Sequence, residues 1–147
     1  VSKVRHNFDA RAIVDAIVRG VDLGTQDIVL TVQQDIKKMI SGEGTGIKYP
    51  GNPRRSSRPG EPPAKQTGDL SRSWQTGRPT RIAQGRRVGW RVGSNKKYAR
   101  ILEFGNARIR ERPYVRPALA AIAPQAPKII EAHVRDAMRQ MRLPRPN

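Results

Sequence analysis

The sequence predicts an α+β fold: a long N-terminal helix packed on a small antiparallel sheet, a C-terminal helix, and a long basic loop rich in glycine and proline. Three observations predict it. Apolar residues recur at alternating spacings of three and four between Ala12 and Ile40, the period of one helix face. Val88, Trp90 and Val92 alternate with Arg87, Gly89 and Arg91, the period of two of a strand. Between them, Ser41 to Lys65 interleaves Gly42, Gly44, Gly46, Gly51 and Gly60 with Pro50, Pro53, Pro59, Pro62 and Pro63. Neither a helix nor a central strand tolerates that composition. At 147 residues the chain is expected to form a single domain, 1–147.

The predicted helix carries Val14, Val18, Val21, Thr25, Ile28, Val32, Ile36 and Met39 as one stripe, with Asp15, Arg19, Asp22, Gln26, Gln33, Lys37 and Lys38 on much of the opposite side. Gly20 and Gly24 each cost about 1 kcal/mol inside a helix relative to alanine. A kink or short break is therefore expected at 20–24, with Asp22 capping a restarted helix. In the loop that follows, Gly42-Glu43-Gly44-Thr45-Gly46 lacks the GxxxxGK[ST] spacing of a phosphate loop. Nucleotide binding is not expected. Residues 42–65, with Arg54, Arg55, Arg58 and Lys65 along them, read as an extended loop or arm that orders against a neighbour or a channel wall; the plainer alternative is a surface insertion.

Thr67 is placed to cap a short helical turn through Leu70, with Asp69 among its first N–H groups. Trp74 opens the strand region, Gly77-Arg78-Pro79 reads as a turn, Arg81 to Gln84 as a short strand and Gly85 as a second turn, giving three or four short strands in all. Tyr98 to Leu119 is expected to be a compact, turn-rich packing centre entering the final helix. Its structural platform is Tyr98, Phe104, Tyr114 and Leu119, together with Trp74, Trp90, Glu103 and Arg116. Pro117 suits the first turn of a helix. Pro124 and Pro127 should interrupt that helix before it resumes at Ile129, with His133 partly exposed on it. Glu103 is expected to be structural, its carboxylate accepting from Arg116 or Arg112. Residues 142–147 should form a mobile tail.

Charge narrows the function classes. The net charge is +17, yet residues 1–47 are balanced, with six basic and six acidic residues, whereas 48–100 carry fourteen basic against two acidic. Such a field attracts a polyanion or an acidic protein surface. With no cysteine and two isolated histidines, thiolate chemistry and a zinc cluster are not expected. No second acid or histidine converges on Glu103, so no enzyme, cofactor or metal is expected. The chain has no long apolar run, so no membrane span or secretion is expected, and synthesis is placed in the cytoplasm.

Tyr98 to Gly105, YARILEFG, and Arg112 to Leu119, RPYVRPAL, resemble the signature of a bacteriophage family of head-tail joining proteins, also described as neck or tail-completion proteins. In that signature Tyr-Ala-x-x-x-Glu-Phe-Gly precedes Arg-Pro-aromatic-x-Arg-Pro-Ala-Leu. Upstream, Pro59-Gly60-Glu61-Pro62-Pro63-Ala64, Thr67-Gly68-x-Leu70 and Ser73-Trp74 follow the same pattern in the same order. The resemblance implies a virion component, made in the host, that joins head to tail as a ring around the DNA passage. Six-fold symmetry is favoured and twelve-fold is the alternative. Implied partners are head-completion or connector proteins and tail proteins, with nonspecific contact to DNA in the channel. Contact surfaces are expected at Arg54, Arg55, Arg58 and Lys65, and at Arg108, Arg110 and Arg112. The competing reading is a basic nucleic-acid-binding protein, although no zinc-finger, helix-turn-helix or RNA-recognition signature accompanies the charge.

Overall fold

A computed structural model describes residues 9–78 and 88–141. Helix α1, Ala10–Met39, is followed by residues 40–68, which carry turns and bends but no helix or strand. Then come α2 (Asp69–Ser73), β1 (Trp74–Gly77), β2 (Arg91–Ser94), α3 (Lys97–Phe104), α4 (Val115–Ile122) and α5 (Ala126–Gln140). The expected strand at Arg81 to Gln84, the turn at Gly85 and the tail at 142–147 lie outside the described residues.

Helix α1 starts earlier than its apolar period suggests, because the Asp9 carboxylate accepts from the N–H groups of Arg11 and Ala12, satisfying donors that the first turn leaves free. It does not break at 20–24. The expected break gives way to what faces the two glycines: a methyl on Gly20 would lie 2.4 Å from Val134 Cα, and one on Gly24 would lie 2.8 Å from Ile130 Cα. Glycine here lets α5 run antiparallel against the backbone of α1. The residues buried along α1 are spaced by fours, Ala16, Gly20, Gly24, Val32 and Ile36, a tighter line than the predicted stripe. Thr25 sits in that stripe at little cost because its hydroxyl donates to Val21 O at 2.7 Å.

The C-terminal half of α1 meets the sheet. Val32, Ile36 and Ile40 are buried with Trp74, Tyr114, Ala118 and Ile122, and Gln33 Nε2 ties the helix to β1 by donating to Trp74 O at 2.7 Å. Strands β1 and β2 are antiparallel, pairing Trp74 with Ser94 and Gly77 with Arg91. Among the described residues the sheet has two strands where three or four were expected. The clearest predicted strand also shifts: Val88 and Trp90 precede β2, and Trp90 Nε1 instead donates to Asp22 Oδ1 at 3.2 Å. Asp22 also pairs with Arg78, whose guanidinium lies 4.9 Å over the Trp90 ring. Asp22 is thus an anchor for the strand hairpin rather than a helix cap. Helix α4 ends before Pro124, but α5 resumes at Ala126 and not at Ile129 as expected, because Pro127 lies in its first turn, where a missing N–H costs nothing.

Candidate assembly surface

Within the segment 98–119 the chain is more regular than expected. Tyr98 to Phe104 belong to α3, which stops at Gly105 with φ 71°, a conformation in which a side chain is strained. The following turn closes on Asn106, whose Oδ1 accepts from Arg108 N at 2.9 Å and Ile109 N at 2.8 Å, while Asn106 N donates to Ile109 O at 2.7 Å. Asparagine turns of this kind hold a tight backbone loop. Arg108 and Arg110 stand exposed on its outside.

Glu103 organises the interior. It is 3 % exposed, and its carboxylate accepts from Tyr114 N at 2.8 Å, Val115 N at 2.9 Å, Arg116 N at 3.0 Å and Arg116 Nε at 3.0 Å. The first-turn N–H groups of α4 therefore receive a charged acceptor from another helix. Burial pushes the Glu103 pKa up, but the bonds from Val115, Tyr114 and Arg116 outweigh it and hold the carboxyl below its ordinary value. Arg116 also donates to Glu111 at 2.6 Å and lies 5.4 Å over the Phe104 ring. The expected pairing of Glu103 with a nearby arginine falls on Arg116. Its capping of α4 was not foreseen, because the sequence does not say which helix start lies within reach.

Tyr114 is fully buried, donates its hydroxyl to Ala99 O at 3.1 Å, and meets Trp74 edge-on with ring centroids 5.7 Å apart. Burial, and then the Glu103 charge, raise its pKa well above that of a free phenol. Trp74, Glu103 and Tyr114 are thus buried together, linked through Tyr114. The other half of the expected platform is corrected. Phe104 is 60 % exposed, Leu119 48 % and Tyr98 42 %, so none of them is core. Trp90 is half-buried and belongs to the Asp22 cluster on α1.

The expected arm at 42–65 is closed on itself rather than extended. Gly46 N donates to Ser56 O at 2.7 Å, Ser56 N to Ile47 O at 3.0 Å, and Lys65 N to Gly42 O at 2.9 Å. A methyl at Gly44 would lie 2.1 Å from Ser56 O, so the glycine run is a groove for its own chain. Glu61, within the Pro59–Ala64 motif, accepts from Arg58 N at 2.9 Å and from the Thr45 hydroxyl. Arg112, expected as an outward contact, turns inward: its N donates to Leu102 O and its Nη2 to Ser57 O at 3.1 Å. It joins the loop to α3. Arg55 and Arg58 are exposed, whereas Arg54 and Lys65 are half-buried.

This arrangement binds elements to one another and presents no reacting group. Residues 10–105 match the family described as "Bacteriophage HK97-gp10, putative tail-component", a span that runs from α1 to the glycine ending α3. The chain belongs to the HK97-gp10-like family. No curated protein and no solved structure matches it. The family's description gives the protein a structural, tail-component role in a bacteriophage. Among the described residues no cluster of histidine, cysteine or carboxylate side chains is positioned for a metal, and no helix is long and apolar enough to cross a membrane. The match stops at Gly105, so Glu103 lies inside it and the helix that Glu103 caps lies beyond.

Proposed function

We propose that the HK97-gp10-like chain joins the phage head to the tail as a closed ring of copies around the DNA passage, six-fold in preference to twelve-fold. The carrying observation is that Phe104, Leu119 and Tyr98 stay exposed on a chain whose own core is already closed around Tyr114 and Glu103. Large apolar side chains left in solvent serve association where they gather into a patch. Copies in a ring meet through two different patches, so these side chains would seat on another part of the neighbouring copy. Head-completion or connector proteins would bind one side of the ring and tail proteins the other. The positive excess of residues 48–100 suits a channel that holds DNA without reading its sequence.

The test is mass measurement and negative-stain imaging of the purified protein, alone and with tail components. Rings are expected in at least one of the two, and they should vanish in the Phe104→Asp/Leu119→Asp double variant. Monomers under both conditions would overturn the ring. A salt-sensitive complex of DNA with a monomer would favour the nucleic-acid-binding reading instead.

A further inference from the structure

The loop between α1 and α2 encloses a concavity of about 630 Å³ bordered by Arg112. Lys48, Arg55 and Arg58 line it with Arg112, and among the described residues no acidic one does, Glu61 being bonded to Thr45 and Arg58 N. On the same wall Ile47 and Tyr49 are exposed. The frame is braced on several sides: Gly46 and Ile47 pair with Ser56, Asn52 N donates to Tyr49 O at 3.1 Å, Glu61 holds Thr45 and Arg58, and Arg112 holds Ser57. A loop ordered to this degree, yet keeping a large aliphatic and an aromatic side chain in solvent, is shaped to receive something.

We propose that this concavity docks an extended acidic segment of a partner protein that carries a large apolar side chain among its carboxylates. The four cations favour negative charge, which DNA phosphate would also supply. Ile47 distinguishes the two sources: a phosphate backbone has nothing apolar to set against it, and an aliphatic side chain gives no stacking platform, whereas a polypeptide offers both charge and apolar surface. Tyrosine and arginine are also the residue types that concentrate binding energy in protein interfaces. The site is lined by loop residues together with Arg112 and by neither Phe104 nor Leu119, so it can be tested separately from ring formation.

The experiment is selection of short random peptides on the purified full chain, followed by affinity measurement against the wild type and two variants at fixed salt. One variant, Ile47→Ser/Tyr49→Ser, removes the apolar half; the other, Lys48→Ser/Arg58→Ser, removes two cations. All four side chains can be shortened without opening the core, and circular dichroism with mass measurement checks the fold and the assembly state. Selected peptides are expected to carry aspartate or glutamate around one large apolar residue and to bind each variant about tenfold or more weakly. Loss of peptide binding with rings intact would separate this site from the assembly face. The inference is overturned if no such consensus emerges, or if the Ile47→Ser/Tyr49→Ser variant binds the selected peptides as the wild type does. A short random-sequence DNA duplex is the competing probe: tight binding that depends on the cations alone and displaces the peptides would assign the surface to nucleic acid and also overturn the inference.

Discussion

The α1–α5 pair and the junction around Glu103 are held together by opposite means. Between the helices, Gly20 and Gly24 let two backbones approach because a side chain is missing at each point of contact. At the junction, one buried carboxylate supplies the acceptor for the start of α4 and for Arg116. The first is therefore broken by adding an atom and the second by removing a group. A single chain of modest core uses both, steric economy where helices cross and charged hydrogen bonding where the chain reverses.

Removal at the junction should have the largest effect. Glu103→Ala leaves the first N–H groups of α4 without their acceptor and is expected to cost about 3 kcal/mol, read as a fall in denaturant midpoint. Glu103→Gln keeps the shape but loses the charge, and should cost roughly half as much. An equal midpoint for Glu103→Ala and wild type would show that α4 is held by packing alone. Addition at the helix pair comes next. Gly20→Ala should destabilise by about 1–3 kcal/mol despite the better helix propensity of alanine. Gly24→Ala should cost less, its new methyl meeting Ile130 at 2.8 Å rather than Val134 at 2.4 Å. Stabilisation by either would mean that the helices separate freely.

Acid sharpens the comparison without mutation. The Glu103 pKa is depressed in the folded chain, so its contribution is fully present above the ordinary carboxylate range and is lost as pH falls through the depressed value. Stability measured along an acid titration should therefore fall less steeply in Glu103→Gln than in wild type. The helix pair has no such dependence through its glycines, and Gly20→Ala should parallel the wild-type curve. Tyr114→Phe, which removes only the bond to Ala99 O, is expected to cost about 1 kcal/mol. The smallest change in stability belongs to Phe104→Ala, below about 1 kcal/mol because the ring is largely in solvent and its contact with the Arg116 guanidinium is modest. Were Phe104 a core residue, the same substitution would cost about 3–5 kcal/mol, so the denaturant midpoint decides between the two placements.

Phe104 and Tyr114 also show why part of the site was legible and part was not. Both are aromatics in one signature, and both look like core by residue type. Glu103 was recognisable as structural because it is a lone acid among arginines and aliphatics, and its partner Arg116 lay within the same signature. Which of its neighbours turns inward depends on the helical phase of α3, and an eight-residue helix bounded by Gly105 is too short for its period to declare a face. Asn106 could have been found from turn chemistry alone. Arg112 could not, because an arginine followed by proline looks the same whether it faces solvent or a loop carbonyl brought from residue 57.

Local pattern by itself determined the long first helix, the antiparallel strand pairing, the helix start that tolerates Pro117 and the concentration of positive charge in the middle of the chain. These depend on residue periods and on backbone rules that act over a few positions. Only the tertiary structure decided that two glycines join α1 to α5 instead of breaking α1, that Glu103 caps a helix other than its own, and that Phe104 faces outward while Tyr114 faces in. Each of those depends on a partner brought close by the rest of the chain, and proximity between distant residues is not written in either residue's neighbours.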